Sequence, residues 1–123
     1  MNENNTQREL IRIQKDNNLN TVYAVDEPGA GGAHHEYIIM LHYGEPIEVA
    51  FQNGPRNDPK SIPGILDTDL LEIVRDRLKC FQQGEFSCRE NACALTKIEE
   101  ALMWLNKRVT DRAQRGVLGT NKK

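Results

Sequence analysis

Between Ser87 and Thr120 the chain reads SCRENACALTKIEEALMWLNKRVTDRAQRGVLGT, with apolar residues at Leu95, Ile98, Leu102, Leu105 and Val109. Spacings of three and four place these side chains on one side of an α-helix, and so long a stripe has to be buried against a partner helix. Ser87 followed by Glu90 has the form of a capping box, in which each side chain satisfies a backbone donor at the helix start. The helix is expected to begin near Cys88, and Gly116 to end it. From Cys88 to Arg115 it would run about 42 Å at about 1.5 Å per residue, longer than a compact domain of this size covers alone. This one feature points to an oligomer.

The partner helix is expected at about Asp69 to Phe81, capped by Asp67 or Thr68, with Leu70, Val74, Leu78 and Phe81 on its apolar face. Gly84 breaks it, and the short connection to the long helix makes an antiparallel helical hairpin. Upstream, TVYAVDE, EYIIMLHY and PIEVAFQN are short runs rich in Val, Ile, Tyr and Phe, separated by Gly and Pro. They read as three strands of an antiparallel sheet. The Tyr43-Gly44-Glu45-Pro46 link makes the second and third a hairpin, and Gly54-Pro55, Asp58-Pro59 and Pro63-Gly64 mark a long loop. The expected fold is α+β: a loosely held arm over residues 1–20, a small antiparallel β-sheet region over 21–64, a helical hairpin over 65–120 and a tail over 121–123. No internal repeat or low-complexity segment interrupts this order.

The formal charge of −2 hides a gradient. From Lys107 onward six basic residues face a single acid, giving that end +5 and the remainder −7. A local basic end on a mildly acidic chain suits a small anionic ligand better than duplex DNA, which calls for a broad basic face. Cys80, Cys88 and Cys93 form no C-x-x-C pair, and no basic segment followed by an apolar run opens the chain, which fits a reducing cytoplasm. The longest apolar run, Tyr37 to Leu41, is far short of the roughly 20 residues of a membrane span. A soluble protein is expected.

Several constellations carry possible chemistry. Arg108, Arg112 and Arg115 share one side of the long helix and form a fork of guanidiniums, whose planar donors suit phosphate. The competing reading is that cations near a helix C-terminus complement its dipole and that Asp111 pairs with one of them. Phe81 and Phe86 flank the hairpin turn, where a ring either stacks on a nucleobase or plugs the end of the hairpin core. The loop DEPGAGGAHHEY has the glycines of a phosphate cradle but lacks the lysine and Ser/Thr of a P-loop and opens no helix. His34, His35 and His42 with the cysteines match no common zinc spacing, and no metal or other cofactor is expected. Gln52-Asn53-Gly54-Pro55-Arg56 offers amides suited to a base edge and a further phosphate arginine, or is an ordinary turn. No Ser, Cys or Thr has a recognisable catalytic companion, and Glu99-Glu100 reads as a solvated or intersubunit face.

ENACALTKIEEALMWLNKRVTDRAQRGVLGT, preceded by LLEIVRDRLKCFQQGEFSCREN, is similar to the helical hairpin shared by two kinds of phage anti-defence protein. These are the Thoeris anti-defence sponges and the anti-CBASS cyclic-nucleotide sponges. TVYAVDEPGAGGAHHEY and FQNGP resemble the sheet domain of the Thoeris branch, so the resemblance spans about Thr21 to Thr120. It implies a non-catalytic protein of the infected host's cytoplasm. Such a protein sequesters cyclic ADP-ribose isomers, among them glycocyclic ADP-ribose, made by the Thoeris TIR protein, so that the effector stays inactive. It also implies homo-oligomers, dimers that assemble into hexamers, with the signal held between sheet and helices at a subunit interface. Separate sites in the assembly hold cyclic di- or trinucleotides of CBASS. Carried over, the resemblance makes Phe81 the base-stacking ring and Asn91 a polar contact. Arg56, Arg108 and Arg112 become the pyrophosphate and ribose grip, with Asp26, Ala33 and His34 lining the pocket from the first loop. Thr96 and Lys97 fall to the second class of ligand. An enzyme that cleaves the cyclic nucleotide, and a small regulator binding DNA or a host protein, are the rival readings; neither membrane nor DNA is an expected partner.

Overall fold

The computed structural model describes residues 7–123. The chain divides after Ile65 into two compact units. The first is a four-stranded antiparallel sheet in the order β1 (Arg8–Glu9), β2 (Thr21–Ala24), β3 (Glu36–Met40) and β4 (Ile47–Ala50). β2, β3 and β4 are the expected β-branched and aromatic runs. Their register sets Val22, Ile39 and Ile47 in one row and Ala24, Tyr37 and Val49 in the next. Opposed residues share a face, so this is the apolar face of the sheet. Phe51 continues it, packing edge-on against Tyr37 at 5.7 Å between centroids.

β1 was not legible as a strand, because its two residues, Arg and Glu, carry no strand propensity. It forms because Arg8 and Glu9 find partners in Ala24 and Tyr23. The expected loose arm is therefore tied to the sheet at this point; its residues 1–6 lie outside the described residues. The long loop after β4 is likewise knitted down. Phe51 bridges to Ile65 and Asn53 to Ile62, and Gly64 passes so close to the strand that a Cβ there would lie 2.4 Å from the Phe51 carbonyl carbon.

The second unit is a helical hairpin of α1 (Asp67–Gln82) and α2 (Arg89–Gln114). It is antiparallel: Arg75 meets Glu99, while Thr68 and Asp69 share a groove with Leu105 and Val109. Asp69 starts α1 by accepting the Leu66 backbone N–H at 2.8 Å, so the N-cap is Leu66 rather than Asp67 or Thr68. The expected Ser87–Glu90 box does not cap α2. Cys88 is the N-cap, its Sγ accepting the Asn91 N–H at 3.4 Å, and Ser87 instead donates its backbone N–H to Gly84. Ser87 and Cys88 are adjacent small polar residues, and the turn geometry selected the second.

The apolar face of α1 also differs. Leu71, Arg75 and Leu78 are half-buried, whereas Leu70, Val74 and Phe81 are exposed. Leu71 and Leu78 lie seven apart, and α1 carries two apolar stripes, of which α2 covers only one. The α2 stripe from Leu95 to Val109 is half-buried as expected. α2 ends in a Schellman motif, the Gly116 N–H donating to Ala113 and Val117 N–H to Arg112, with Gly116 in the left-handed region at φ 73°. No helix among the described residues is long and apolar enough to cross a membrane.

Candidate functional site

Four of the expected ligand residues belong to the sheet unit. Asp26, Ala33 and His34 lie in the loop between β2 and β3, whose tip is a single 3-10 turn, Ala30–Gly32. Asp26 closes the neck of this loop. Its Oδ2 accepts the His35 backbone N–H at 2.9 Å, while His34 Nδ1 sits 2.6 Å from the Asp26 carbonyl oxygen and 3.3 Å from Oδ1. A ring nitrogen that close to a carbonyl oxygen carries the proton and donates it. Burial pushes the Asp26 carboxyl up, but the backbone donors of His35 and Glu36 and the His34 ring outweigh it and hold the group below the usual carboxylate range.

Behind the neck, His35 is only 8 % exposed, its ring set against Gly29. Among the described residues, His35 Nδ1 and Asp26 Oδ1 are buried with no hydrogen-bond partner. Ala33 is exposed and its carbonyl accepts from Gly29 at 2.7 Å. Arg56 is exposed on the knitted loop after β4, where Ser61 Oγ donates to the Pro55 carbonyl at 2.7 Å. Among the described residues no three His, Cys, Asp or Glu side chains gather.

The other residues belong to the hairpin and lie at its two ends. Phe81 is near the end of α1, 39 % exposed, with the Arg77 guanidinium 5.4 Å from its ring centroid. Asn91, in the first turn of α2, shares that end. Arg108 and Arg112 are at the far end, and seventeen residues of helix put Arg108 about 25 Å along the axis from Asn91. A single hairpin does not bring the ring and the arginine together around one compact ligand.

The expected fork of three guanidiniums resolves into three different states. Arg112 is 9 % exposed and donates from Nη2 to the Val117 and Thr120 carbonyls, both at 3.1 Å. Arg115 pairs with Asp111 at 3.0 Å and donates to the Lys123 carbonyl. Arg108 is exposed and, among the described residues, has no hydrogen bond or ion pair. It is the guanidinium of the three left to present itself to an anion. Thr96 and Lys97 are exposed on α2, Lys97 lying 3.6 Å from Glu100.

Two open grooves of about 570 Å³ lie on the hairpin. One carries Asp69, Glu72 and Glu99 around Arg75, whose guanidinium is held charged by Glu99 first and Glu72 second; its sign is wrong for a phosphate. The other holds Lys107 and Arg108. Sequence reasoning missed the burial of His35 and the placing of Arg77 over the Phe81 ring. The Arg77–Phe81 spacing of four was readable as a cation over a ring, whereas nothing local announced that His35 would be buried.

The family model of the Acb2/Tad1 hairpin domain matches residues 44–110. Over 95 residues the chain is 47 % identical to Thoeris anti-defense 1 of Bacillus phage SBSphiJ7, a match covering 77 % of this chain and 66 % of that relative, slightly under two thirds of its length. Hairpin geometry and sequence similarity agree, and the chain belongs to the Acb2/Tad1 hairpin-domain family.

Proposed function

We propose that this chain is a phage anti-defence protein that captures cyclic ADP-ribose isomers, glycocyclic ADP-ribose among them. By sequestering them in the cytoplasm of the infected host it keeps the signal of the Thoeris TIR protein from its effector. The observation that carries this reading is the 47 % identity to a protein named for Thoeris anti-defence. The chemistry supports it. A signal with a pyrophosphate and an adenine calls for unpaired guanidiniums and an accessible ring, and Arg56, Arg108 and Phe81 offer them. In the proposed site Phe81 stacks on the base and Asn91 contacts a polar edge. Arg56 and Arg108 grip the phosphates, and Arg112 steadies the helix end with its remaining N–H groups turned to the ligand. Asp26, Ala33 and His34 shape the first loop against it.

The 25 Å between the two ends of one hairpin makes the working protein a homo-oligomer in this reading, with ring and arginine from different copies. Burial supports this. Among the described residues Ala24 is the one buried hydrophobic side chain, and Leu66 at the N-cap of α1 forms an exposed apolar row with Leu70, Ile73 and Val74 on the helix. Dimers and hexamers both satisfy it. Cyclic oligonucleotides are a second ligand class, assigned to Thr96 and Lys97.

Capture rather than cleavage is favoured because Asp26 and His34, which face each other at 3.3 Å, are both also engaged with the loop's own backbone. Calorimetry with cyclic ADP-ribose and glycocyclic ADP-ribose, followed by heat denaturation and chromatography of what is released, tests the reading. Tight binding and intact ligand support it; hydrolysed product makes the protein an enzyme, and no heat of binding ends the proposal.

A further inference from the structure

Trp104 is the single tryptophan of the chain, and it does not belong to the stripe that packs α2 on α1. That stripe runs through Leu102, Leu105 and Val109; Trp104 projects away from it and is 64 % exposed. It sits one helical turn before Lys107 and Arg108, and all three line the basic groove with Thr110, Asp111 and Gln114. The acid in that groove is already taken, since Asp111 pairs with Arg115 at 3.0 Å. Lys107 and Arg108 have no counter-ion among the described residues. An indole with two uncompensated cations a turn away matches the two parts of a nucleotide, a flat base and an anionic phosphate. The groove is open, all six of its lining residues belonging to α2.

We propose that Trp104 is a ligand-contacting residue at the arginine end of α2: its indole stacks on a base or ribose face of a nucleotide whose phosphates are held by Lys107 and Arg108. The inference rests on the proposed function for the identity of the nucleotide. It adds an aromatic platform at the end of the hairpin where Phe81 of the same copy does not reach.

Because no other tryptophan contributes, the intrinsic fluorescence of the intact protein reads Trp104 directly. Titration with cyclic ADP-ribose and glycocyclic ADP-ribose should quench it with the same midpoint as the calorimetric isotherm. Trp104→Ala should weaken binding roughly 5- to 140-fold, and Trp104→Phe, which keeps a ring, should recover most of the loss. Heat of binding with unchanged fluorescence and unchanged Trp104→Ala affinity overturns the inference while leaving the proposed function standing. A Trp104→Ala variant whose solution mass falls overturns it too, since the indole is then a contact between copies. No heat of binding with the wild-type chain removes the proposed function and this inference together.

Discussion

The loop between β2 and β3 and the C-terminal end of α2 both look, as sequence, like places built to hold an anion, one through glycines and histidines and the other through arginines. The structure treats them differently. In the loop the polar side chains turn inward: Asp26 holds His35 by its backbone and stands beside His34. At the helix end Arg112 turns inward, Arg115 pairs with Asp111 at the surface, and Arg108 does neither. A residue suited to a ligand is as readily used to shape the chain around it, and only hydrogen-bond partners separate the two uses.

Four substitutions break or sharpen that contrast. Gly64→Ala is expected to be the most damaging, by about 3 kcal/mol, because its Cβ would meet the backbone of Phe51 and Gln52, at 2.4 and 2.6 Å. Thermal melting should show a large loss, and unchanged melting would mean that the loop does not hug β4. Arg112→Ala removes a buried guanidinium from two carbonyls and should cost about 2 kcal/mol. Hydrogen exchange should then show the amides of Val117 and Thr120 opening first, and full protection there would contradict the inward role.

Asp26→Asn weakens the neck of the loop and should cost about 1 kcal/mol at neutral pH. Its carboxyl is lowered in the folded chain, so the stabilisation is present above the ordinary carboxylate pKa of about 3.9 and is lost as pH falls through the folded value. Melts of wild type and Asp26→Asn should therefore converge as the solution is taken below pH 4 or so; a gap that stays constant would sink the electrostatic explanation. Arg108→Ala, an exposed cation without a partner, should change stability by less than about 0.5 kcal/mol. In the proposed function it nevertheless loses at least about tenfold in affinity for cyclic ADP-ribose isomers. Equal affinity by calorimetry would take Arg108 out of the site.

Much of the architecture was written in local pattern. The three runs of Val, Ile and Tyr became β2, β3 and β4, and the 95/98/102/105/109 spacing and Gly116 marked α2 and its end. β1 was hidden, because two charged residues become a strand only when a neighbour supplies the ladder. The capping residue was misplaced by one, Cys88 for Ser87, since caps depend on backbone angles that composition does not fix. On α1 the choice between two apolar stripes was open, since Leu70, Val74 and Phe81 have helical spacing as good as that of Leu71 and Leu78.

Periodicity, turn residues and charge thus determined by themselves the strands β2, β3 and β4, the two helices, where the hairpin breaks and which end of the chain is basic, because each depends on neighbours within a turn or two. Tertiary structure decided which face of α1 is covered and that Asp26 ties the neck of its loop. It also decided that Arg112 is enclosed and Arg115 paired while Arg108 is left open. Those outcomes depend on which carbonyl or carboxylate lies within hydrogen-bonding distance after the chain has folded back on itself, a quantity no local pattern contains.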